Sequence, residues 1–407
     1  MSHRVSPSVA GLLALTFVPL AAGCSNDPAR STCAVEYTNV NVARPSGASS
    51  VPLTLLPDAR LDAVGDGFVL LGTDGSSVRW ALLGRDGVAT GDEQSLAVPP
   101  HAAGPWFAVA GLNTPGDHIV IAYVPVDPPG APAFGTRELM TMSARIDNTA
   151  PTAPSSSGPI GFGAEVTMRS GRAGMHAGVA WAQHGQTTIS ARLLGGDGLP
   201  VEADLTLGPV SDSIPGCLRF SSGKGDLTVG FIDTSTVGAP LFVGTEIAED
   251  GSANNSLRLK IGKELPDCVD LVSSDKGYGV AWHSAGVGTG GVGTYFGMYE
   301  PARPGFPSAQ VQSDVRVEGA VPAVAGLGWL GTQYALVFAR PTSAEVWPID
   351  AMGARKGVLP VLPSVAGHLG TVSSLAIGSV LYTTYADYLR DKDFSGGSRL
   401  LVKVTCP

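Results

Sequence analysis

Residues 274–282 read Ser-Asp-Lys-Gly-Tyr-Gly-Val-Ala-Trp, a polar turn followed by five residues whose first, third and fifth side chains are apolar. Apolar residues at alternate positions, with small residues between them, are typical of a buried β-strand. Segments of this kind occur seven times; the third position is aliphatic in every copy, and the fifth is aromatic in five of the seven. Successive copies lie 45 to 58 residues apart, and they end at Gly72, Tyr123, Trp181, Phe231, Trp282, Phe338 and Thr383.

Segments with strand character flank each copy. A short apolar segment comes before the turn, as in 268–271, and a longer one follows the repeated strand, as in 188–194 and 241–247. Asp-Gly pairs such as Asp197-Gly198 then indicate a hairpin, because both residues tolerate a positive φ. A weaker fourth strand completes the unit. Four antiparallel strands per repeat predict an all-β chain folded as a β-propeller with seven, or else six, four-stranded blades. A pair of β-sandwiches is the alternative.

The composition supports an all-β chain and excludes several other classes. The 407 residues include 54 glycines and 31 prolines, which disfavour long helices. A hydrophobic content of 44% is too high for a disordered chain. No run of 18 apolar residues follows residue 25, which excludes a polytopic membrane protein. The formal net charge of −9 argues against a nucleic-acid partner.

The first 23 residues have the character of a secretory signal peptide, with Arg4, no acidic residue and an apolar stretch over 9–22. The sequence Leu20-Ala-Ala-Gly-Cys24 resembles the cleavage box of bacterial lipoproteins, in which the cysteine is acylated and becomes the first mature residue. That resemblance implies a lipid on Cys24, a tether over 24–32 and a propeller over 33–407. By resemblance to enteric lipoprotein sorting, Ser25 implies the outer membrane. The alternative is a plain signal peptide followed by a cysteine.

Four further cysteines suggest two disulfides, since an exported protein with an even number of cysteines commonly pairs them, although three pairings are possible. Cys217 and Cys268 precede corresponding strands of consecutive repeats, whereas Cys33 and Cys406 lie at opposite ends of the predicted domain. A propeller needs its terminal strands to share a blade. We therefore predict that 35–42 pairs with 400–404. We also predict the disulfides Cys33–Cys406 and Cys217–Cys268, with metal binding as the alternative.

Motifs that would carry chemistry are weak, and the sequence predicts no catalytic, cofactor-binding or metal-binding residue. Residues 391–396, Asp-Lys-Asp-Phe-Ser-Gly, resemble the start of a calcium loop, but the twelfth position is Val402 instead of a carboxylate. Segments 221–224 and 273–276 match the Ser-x-x-Lys spacing of a serine nucleophile, yet they occupy the same place in two repeats, as a recurring turn would. The scattered histidines, such as His118, are interpreted as packing or rim residues.

The lipoprotein box and the repeated strand together make this chain similar to the divergent propeller lipoproteins of Gram-negative bacteria, over nearly all of the mature length. The chain lacks the Trp-Asp dipeptide, the kelch Gly-Gly pattern and the Ser-x-Asp-x-Gly box of sialidases. The resemblance implies a propeller fold and an envelope location, and it carries over no catalytic residues.

Three connections that follow the repeated strand are long, and long loops on a rigid scaffold commonly carry recognition. These connections are 125–134, 284–293 and 387–397. The third is charged and contains residue types found at binding hot spots, so we predict that it contacts a ligand. The alternative is a surface insertion without a role. The candidate residues are Tyr388, Arg390, Asp391 and Asp393.

These observations predict a non-catalytic binding or scaffold propeller of the cell envelope, attached to the membrane by its N-terminal lipid. Its ligand would be an envelope protein or a glycan, and no cofactor is predicted. The alternative is a propeller hydrolase or lyase acting on glycans or peptides, since such enzymes gather carboxylates and arginines from several blades. The two interpretations differ in whether ionised carboxylates and an arginine converge at one mouth of the channel.

Overall fold

The computed structural model of this protein describes residues 33–406 with several gaps. The gaps are 45–50, 112–115, 128, 131–135, 163–165, 174, 184–187, 210–218, 224–225, 234–240, 248–250, 261–268, 285–292, 301–309, 319–322, 340–342, 351, 357–360, 364–366 and 390–396. The described residues form seven antiparallel sheets of four strands each. Every sheet contacts the next around a closed ring, and most of these contacts join first strands, which are therefore innermost. The fold is a seven-bladed β-propeller, as predicted.

The strands of the first four blades follow one another along the chain. Blade 1 contains β2 (Arg60–Val64), β3 (Gly67–Thr73), β4 (Ser77–Leu83) and β5 (Gln94–Ala97). Blade 2 contains β6 (His101–Ala110), β7 (His118–Pro125), β8 (Thr136–Arg145) and β9 (Ser155–Phe162). Blade 3 contains β10 (Val166–Ala173), β11 (His176–Gln183), β12 (Thr188–Leu194) and β13 (Leu205–Pro209). Blade 4 contains β14 (Arg219–Gly223), β15 (Asp226–Asp233), β16 (Leu241–Ile247) and β17 (Ala253–Lys260).

The remaining blades complete the ring, and the last one takes its fourth strand from the N-terminal end of the domain. Blade 5 contains β18 (Val269–Ser274), β19 (Gly277–Ser284), β20 (Gly293–Tyr299) and β21 (Gln310–Glu318). Blade 6 contains β22 (Ala323–Trp329), β23 (Gln333–Ala339), β24 (Ser343–Asp350) and β25 (Val361–Pro363). Blade 7 contains β26 (Gly367–Ile377), β27 (Val380–Leu389), β28 (Ser398–Thr405) and β1 (Ala34–Val40). A short 3-10 turn covers Leu53–Leu55.

The ring closes in blade 7, where β1 pairs with β28 in antiparallel register from Ala34 opposite Thr405 to Val40 opposite Arg399. A disulfide joins Cys33, just before β1, to Cys406, just after β28. The structure thus confirms the predicted terminal pairing, with slightly different strand bounds, and the predicted Cys33–Cys406 bridge. The second predicted pair, Cys217 and Cys268, lies outside the described residues.

The connections of each blade open on two opposite faces, because successive strands run in opposite directions. We call one the turn face; it carries the turn between the first and second strands and the turn between the third and fourth. We call the other the loop face; it carries the connection from the second strand to the third and the crossing to the next blade. All three long connections identified in the sequence follow second strands and belong to the loop face.

The Asp-Gly pairs do form turns after third strands, but with a different geometry from the one expected. In blade 1 the N–H of Gly84 donates to the Val88 carbonyl at 2.8 Å, and the N–H of Gly87 donates to the Gly84 carbonyl at 2.9 Å. Gly87 has a φ of 80°, whereas Asp86 does not have a positive φ. This is a three-residue hairpin loop with glycine at its left-handed position. The Asp86 carboxylate instead accepts the N–H of Val88 at 3.0 Å.

The core lies between adjacent blades, where apolar strand faces pack together. Between blades 1 and 2, the fully buried Trp80 of β4 joins a cluster that contains Phe107 and Val109 of β6. Its indole N–H donates to the Ile146 carbonyl of blade 2 at 2.7 Å. Each blade therefore depends on its neighbours for burial, as expected for a ring of small sheets that lack a core of their own.

Candidate functional site

The predicted ligand loop begins later in the chain than the sequence suggested. Strand β27 extends to Leu389, so the candidate Tyr388 lies in a strand, where it pairs with His368 of β26. The assignment of Tyr388 to a loop was therefore wrong. The reason is local: the tyrosines and threonines of 380–389 have high β-propensity, and they continue the strand beyond the five-residue repeat. The candidates Arg390, Asp391 and Asp393 lie outside the described residues.

Asp387 also belongs to the scaffold and not to the loop. Its side chain is buried, and its backbone pairs with Ser398 at the start of β28. Val402, at the position where a calcium loop would need a carboxylate, is fully buried in β28. The connection that remains available on the loop face is therefore 390–397.

Among the connections from second to third strands, the strand bounds place three further long ones on the loop face. Two are those predicted from the sequence, now bounded as 126–135 and 285–292, and the third is 234–240 of blade 4, which the sequence analysis missed. Its length and the turn-forming residues of Thr-Ser-Thr-Val-Gly-Ala-Pro could have identified it. The connections 74–76 and 340–342 are much shorter. The loop face is thus uneven, with its long connections in blades 2, 4, 5 and 7.

On the loop face, residues 51–59 carry the chain from blade 7 into blade 1; we call them the crossing segment. Its side chains Leu53, Leu55 and Leu56 are buried. Two of them, Leu53 and Leu56, pack in one cluster with Phe68 of β3 and Leu401 of β28. The crossing segment therefore covers the seam between the last and the first blade.

Arg399 of β28 holds the crossing segment from the side of blade 7. Its guanidinium is fully buried and donates to three backbone carbonyls: that of Thr54 at 2.8 Å, that of Leu56 at 3.0 Å and that of Ala59 at 3.3 Å. Hydrogen bonds from a charged donor are stronger than neutral ones, and burial strengthens them further. Arg399 thus fixes the path of the crossing segment.

Arg79 of β4 holds the same segment from the side of blade 1. Its Nη1 donates to the Val51 carbonyl at 2.7 Å, and its Nε donates to Glu93 Oε1 at 2.7 Å. The other carboxylate oxygen of Glu93 accepts the N–H of Leu53 at 3.4 Å. Both charged side chains are 2% exposed, and Arg79 Nη2 also lies within ion-pair distance of Glu93 Oε1, so the two residues form a buried ion pair.

A third buried arginine joins two other blades in the same way, by an ion pair with a carboxylate and hydrogen bonds to backbone carbonyls. Arg192 of β12 pairs with Asp204 at 2.5 and 2.6 Å and donates to the Ser157 and Pro159 carbonyls of blade 2. The sequence analysis missed Arg79, Arg192 and Arg399. Their signal is an arginine next to or among large apolar residues of a third strand, which predicts a buried charge with dedicated partners.

Desolvation raises the pKa of one carboxyl in the crossing segment and of one phenol in β27. The Asp58 residue is exposed at the surface, yet partial desolvation by its neighbours raises the pKa of its carboxyl, against the opposing effects of the N–H of Thr73, which donates at 3.1 Å, and of the charges of Arg60 and Arg399. Burial also raises the pKa of the Tyr385 phenol, and the nearby groups of Tyr37 and Asp387 add to the increase. A raised pKa makes the Asp58 carboxylate a stronger proton acceptor, and both of its oxygens accept the N–H of Thr73.

Polar side chains of the innermost strands near the seam contact the scaffold. Arg60 of the innermost strand donates to the Phe107 carbonyl, and its guanidinium lies 4.9 Å from the centroid of the Phe107 ring. The hydroxyl of Ser373 accepts the N–H of Leu61 at 3.2 Å. Among the residues that the structure describes, no group of three or more His, Cys, Asp or Glu side chains could hold a metal ion. The Arg60 and Ser373 contacts join the innermost strands of neighbouring blades.

The Ser-x-x-Lys segment at 273–276 is a turn on the turn face. Ser274 pairs with Gly277 across a two-residue hairpin, and its hydroxyl lies 2.8 Å from the hydroxyl of Tyr334 in blade 6. The Lys276 ammonium is exposed and pairs with Asp275 at 3.4 Å. Burial raises the pKa of Tyr334 to about 12, against the opposing effect of the Ser274 hydrogen bond.

No protein-family model and no curated protein matches this sequence. A crystal structure of a protein of unknown function from Dyadobacter fermentans is 10% identical, with 92% of this chain and 99% of that chain covered and a TM-score of 0.49. The WD40 domain of Toxoplasma gondii coronin is 9% identical, with coverages of 94% and 89% and a TM-score of 0.45. A prolyl endopeptidase is 14% identical over 87% of this chain, which spans 51% of that enzyme, with a TM-score of 0.45. These likenesses assign no function to the chain.

Proposed function

We propose that this chain is a lipid-anchored binding or scaffold β-propeller of the cell envelope, without catalytic activity, which presents its loop face to an envelope protein or a glycan. The observation that carries the proposal is the way buried arginines are used at the seam: Arg79 and Arg399 both donate to backbone carbonyls, and Arg79 also pairs with Glu93. Arginines that bind the backbone in this way make the scaffold beneath the loops rigid. A hydrolase or lyase would instead need some of its charged side chains directed at a substrate.

The lipid anchor is supported by the box that ends at Cys24 and by the position of the first described strand, which leaves a short tether before Cys33. A diacylglycerol group with an additional amide-linked chain would give stable attachment, at about 0.8 kcal/mol for each buried methylene. The part of the chain that the structure describes contains no helix long and apolar enough to span a bilayer.

The exchange Cys24→Ser is expected to abolish acylation and to move the protein from the outer-membrane fraction to the soluble fraction. Mass spectrometry of the N-terminal peptide and membrane fractionation measure the two effects. Ser25→Asp is the matched variant: it should keep the acyl chains and shift the protein to the inner membrane. A wild-type protein recovered in the soluble fraction, with a free mature amino group, would contradict the anchor.

Replacing residues 390–396 with a Gly-Ser loop of the same length is expected to reduce ligand capture at least tenfold while leaving the melting temperature within about 2 °C of wild type. The scaffold should tolerate the change because Asp387 and Ser398, which pair at the base of the loop, are kept. Capture is measured in two separate arms, on peptidoglycan and on a detergent extract of envelope proteins.

The matched control for that loop replacement is the same Gly-Ser exchange at 285–292 of blade 5, which should retain capture. If both variants capture as much material as wild type in both arms, the loop face of blade 7 is not the binding site. If the wild type itself turns over a glycan or peptide substrate, the non-catalytic proposal is wrong.

A further inference from the structure

The turn face carries most of the exposed apolar side chains of the described residues. The described residues include seven exposed large hydrophobic side chains. Two of them lie away from the turn face: Tyr37 is on the outer strand of blade 7, and Val126 is on the loop face. The five on the turn face are Val88 (56% exposed), Met175 (37%), Leu199 (45%), Val201 (39%) and Met352 (66%).

The three most exposed of these five occupy the turns between third and fourth strands, in blades 1, 3 and 6. Seven equal blades occupy about 51° each, so Val88, Leu199 and Met352 are about 103°, 154° and 103° apart around the axis. We call these three exposed side chains the apolar tips. Because they occupy equivalent turns spread around the axis, they lie in a plane parallel to the turn face. A patch on one side of the ring would instead suggest a small partner bound at the edge.

Turn geometry does not require apolar side chains at these tips. Val88 and Leu199 directly follow the left-handed glycines Gly87 and Gly198. In blade 2 the left-handed position is Asn148, and the next residue is the polar Thr149. The same turn is therefore built with a polar residue in one blade and with exposed valine or leucine in others, so the exposed apolar groups need another explanation.

The chain enters the propeller on the same face. Strand β28 runs from the loop face to the turn face, and β1 is antiparallel to it, with Ala34 opposite Thr405. Cys33 and its disulfide partner Cys406 therefore lie at the turn-face end of blade 7. The tether 24–32 spans at most about 30 Å when fully extended. Acyl chains on Cys24 would thus be held near the turn face.

We propose that the turn face rests on the lipid bilayer, with Val88, Leu199 and Met352 inserted into its interfacial region. The inference rests on the lipid anchor of the proposed function. The tether brings the bilayer to this face, and three apolar tips spread around the ring can enter a flat surface together. Apolar area buried in the interface adds to the attachment provided by the acyl chains. The loop face, with its long connections, then points away from the membrane.

The test uses the full-length acylated protein reconstituted into phosphatidylethanolamine–phosphatidylglycerol vesicles that contain brominated acyl chains. Three single variants, Val88→Trp, Leu199→Trp and Met352→Trp, place a fluorophore at each tip. Val126→Trp is the matched control, because Val126 is as exposed as Val88 but lies on the loop face. Brominated lipid should quench the added fluorescence at least twofold in the three tip variants and by less than a tenth in the control, relative to vesicles without bromine.

Failure of the inference can be told apart from failure of the proposed function. If the mass of the N-terminal peptide shows no acyl chains, the lipid anchor fails and the inference that rests on it fails too. If the protein is acylated and sediments with vesicles, but tip and control variants are quenched equally or not at all, the anchor stands and the orientation is wrong. Dimers in detergent that are lost in Val88→Asp would assign the turn face to a second copy and would also overturn the proposal.

Discussion

Replacing Arg399 with methionine is expected to lower the free energy of unfolding by about 3–5 kcal/mol, because three carbonyls of the crossing segment lose their donor together. The bonds to the Leu56 and Ala59 carbonyls are buried, and the bond to the Thr54 carbonyl is partly buried. The methionine side chain fills a similar volume but offers no hydrogen bond. Chemical denaturation followed by tryptophan fluorescence measures the loss, and hydrogen exchange of the amides of 53–59 shows whether it begins at the seam.

Arg137→Met is the matched control for Arg399→Met. Arg137 also lies on a third strand, β8 of blade 2, but its partner Asp127 has a side chain that is 45% exposed. Ion pairs open to solvent contribute about 0–1 kcal/mol, so the control should lose no more than that. Equal losses in the two variants would show that Arg399 does not hold the crossing segment as described.

The second large effect is expected from the double exchange Cys33→Ser with Cys406→Ser, which should cost about 5 kcal/mol under oxidising conditions. The two cysteines are separated by 373 residues, so their bond removes a large amount of chain entropy from the unfolded state. Changing both residues leaves no unpaired thiol from this pair. Equilibrium denaturation of the wild type and the variant, without reductant, gives the difference.

The strands in which amide exchange accelerates show whether the double variant loses ring closure or loses stability throughout the domain. The amides of β1 should exchange much faster in the double variant, while those of the blade 2 strands β7 and β8 should change only with global unfolding. A loss below about 1 kcal/mol, or equal acceleration in both blades, would mean that the hydrogen bonds of β1 with β28 suffice to keep the ring closed.

Local patterns in the sequence were enough to predict the architecture. The alternation in segments such as 278–282 depends only on neighbouring residues, because the side chains of a strand alternate between two packed faces. The terminal pairing followed from a single requirement, that a ring cannot leave two open sheet edges, and the structure confirms it in the register of β1 with β28. The Cys33–Cys406 bridge followed from the same requirement.

The seam could not be predicted because its partners are distant in sequence. Arg399 binds carbonyls 340 to 345 residues earlier in the chain. No pattern in the sequence around Thr54 indicates that its carbonyl accepts a hydrogen bond from an arginine. The bounds of the loop at 390–397 were missed for another reason. The repeated pattern described five residues, whereas β27 continues to Leu389, where tyrosine and threonine keep the extended conformation favourable.

Blade 7 also sets the order in which the molecule can be completed during synthesis. Its fourth strand, β1, leaves the ribosome before any other strand, and its first three strands, β26 to β28, leave last. Blades 1 to 6 are each continuous in sequence and can assemble as they emerge, but β1 has no strand to pair with until Ser398–Thr405 has been synthesised. The ring can therefore close only after the last strand has been made, and a chain shortened by only its last ten residues would lose both the closing strand pair and Cys406.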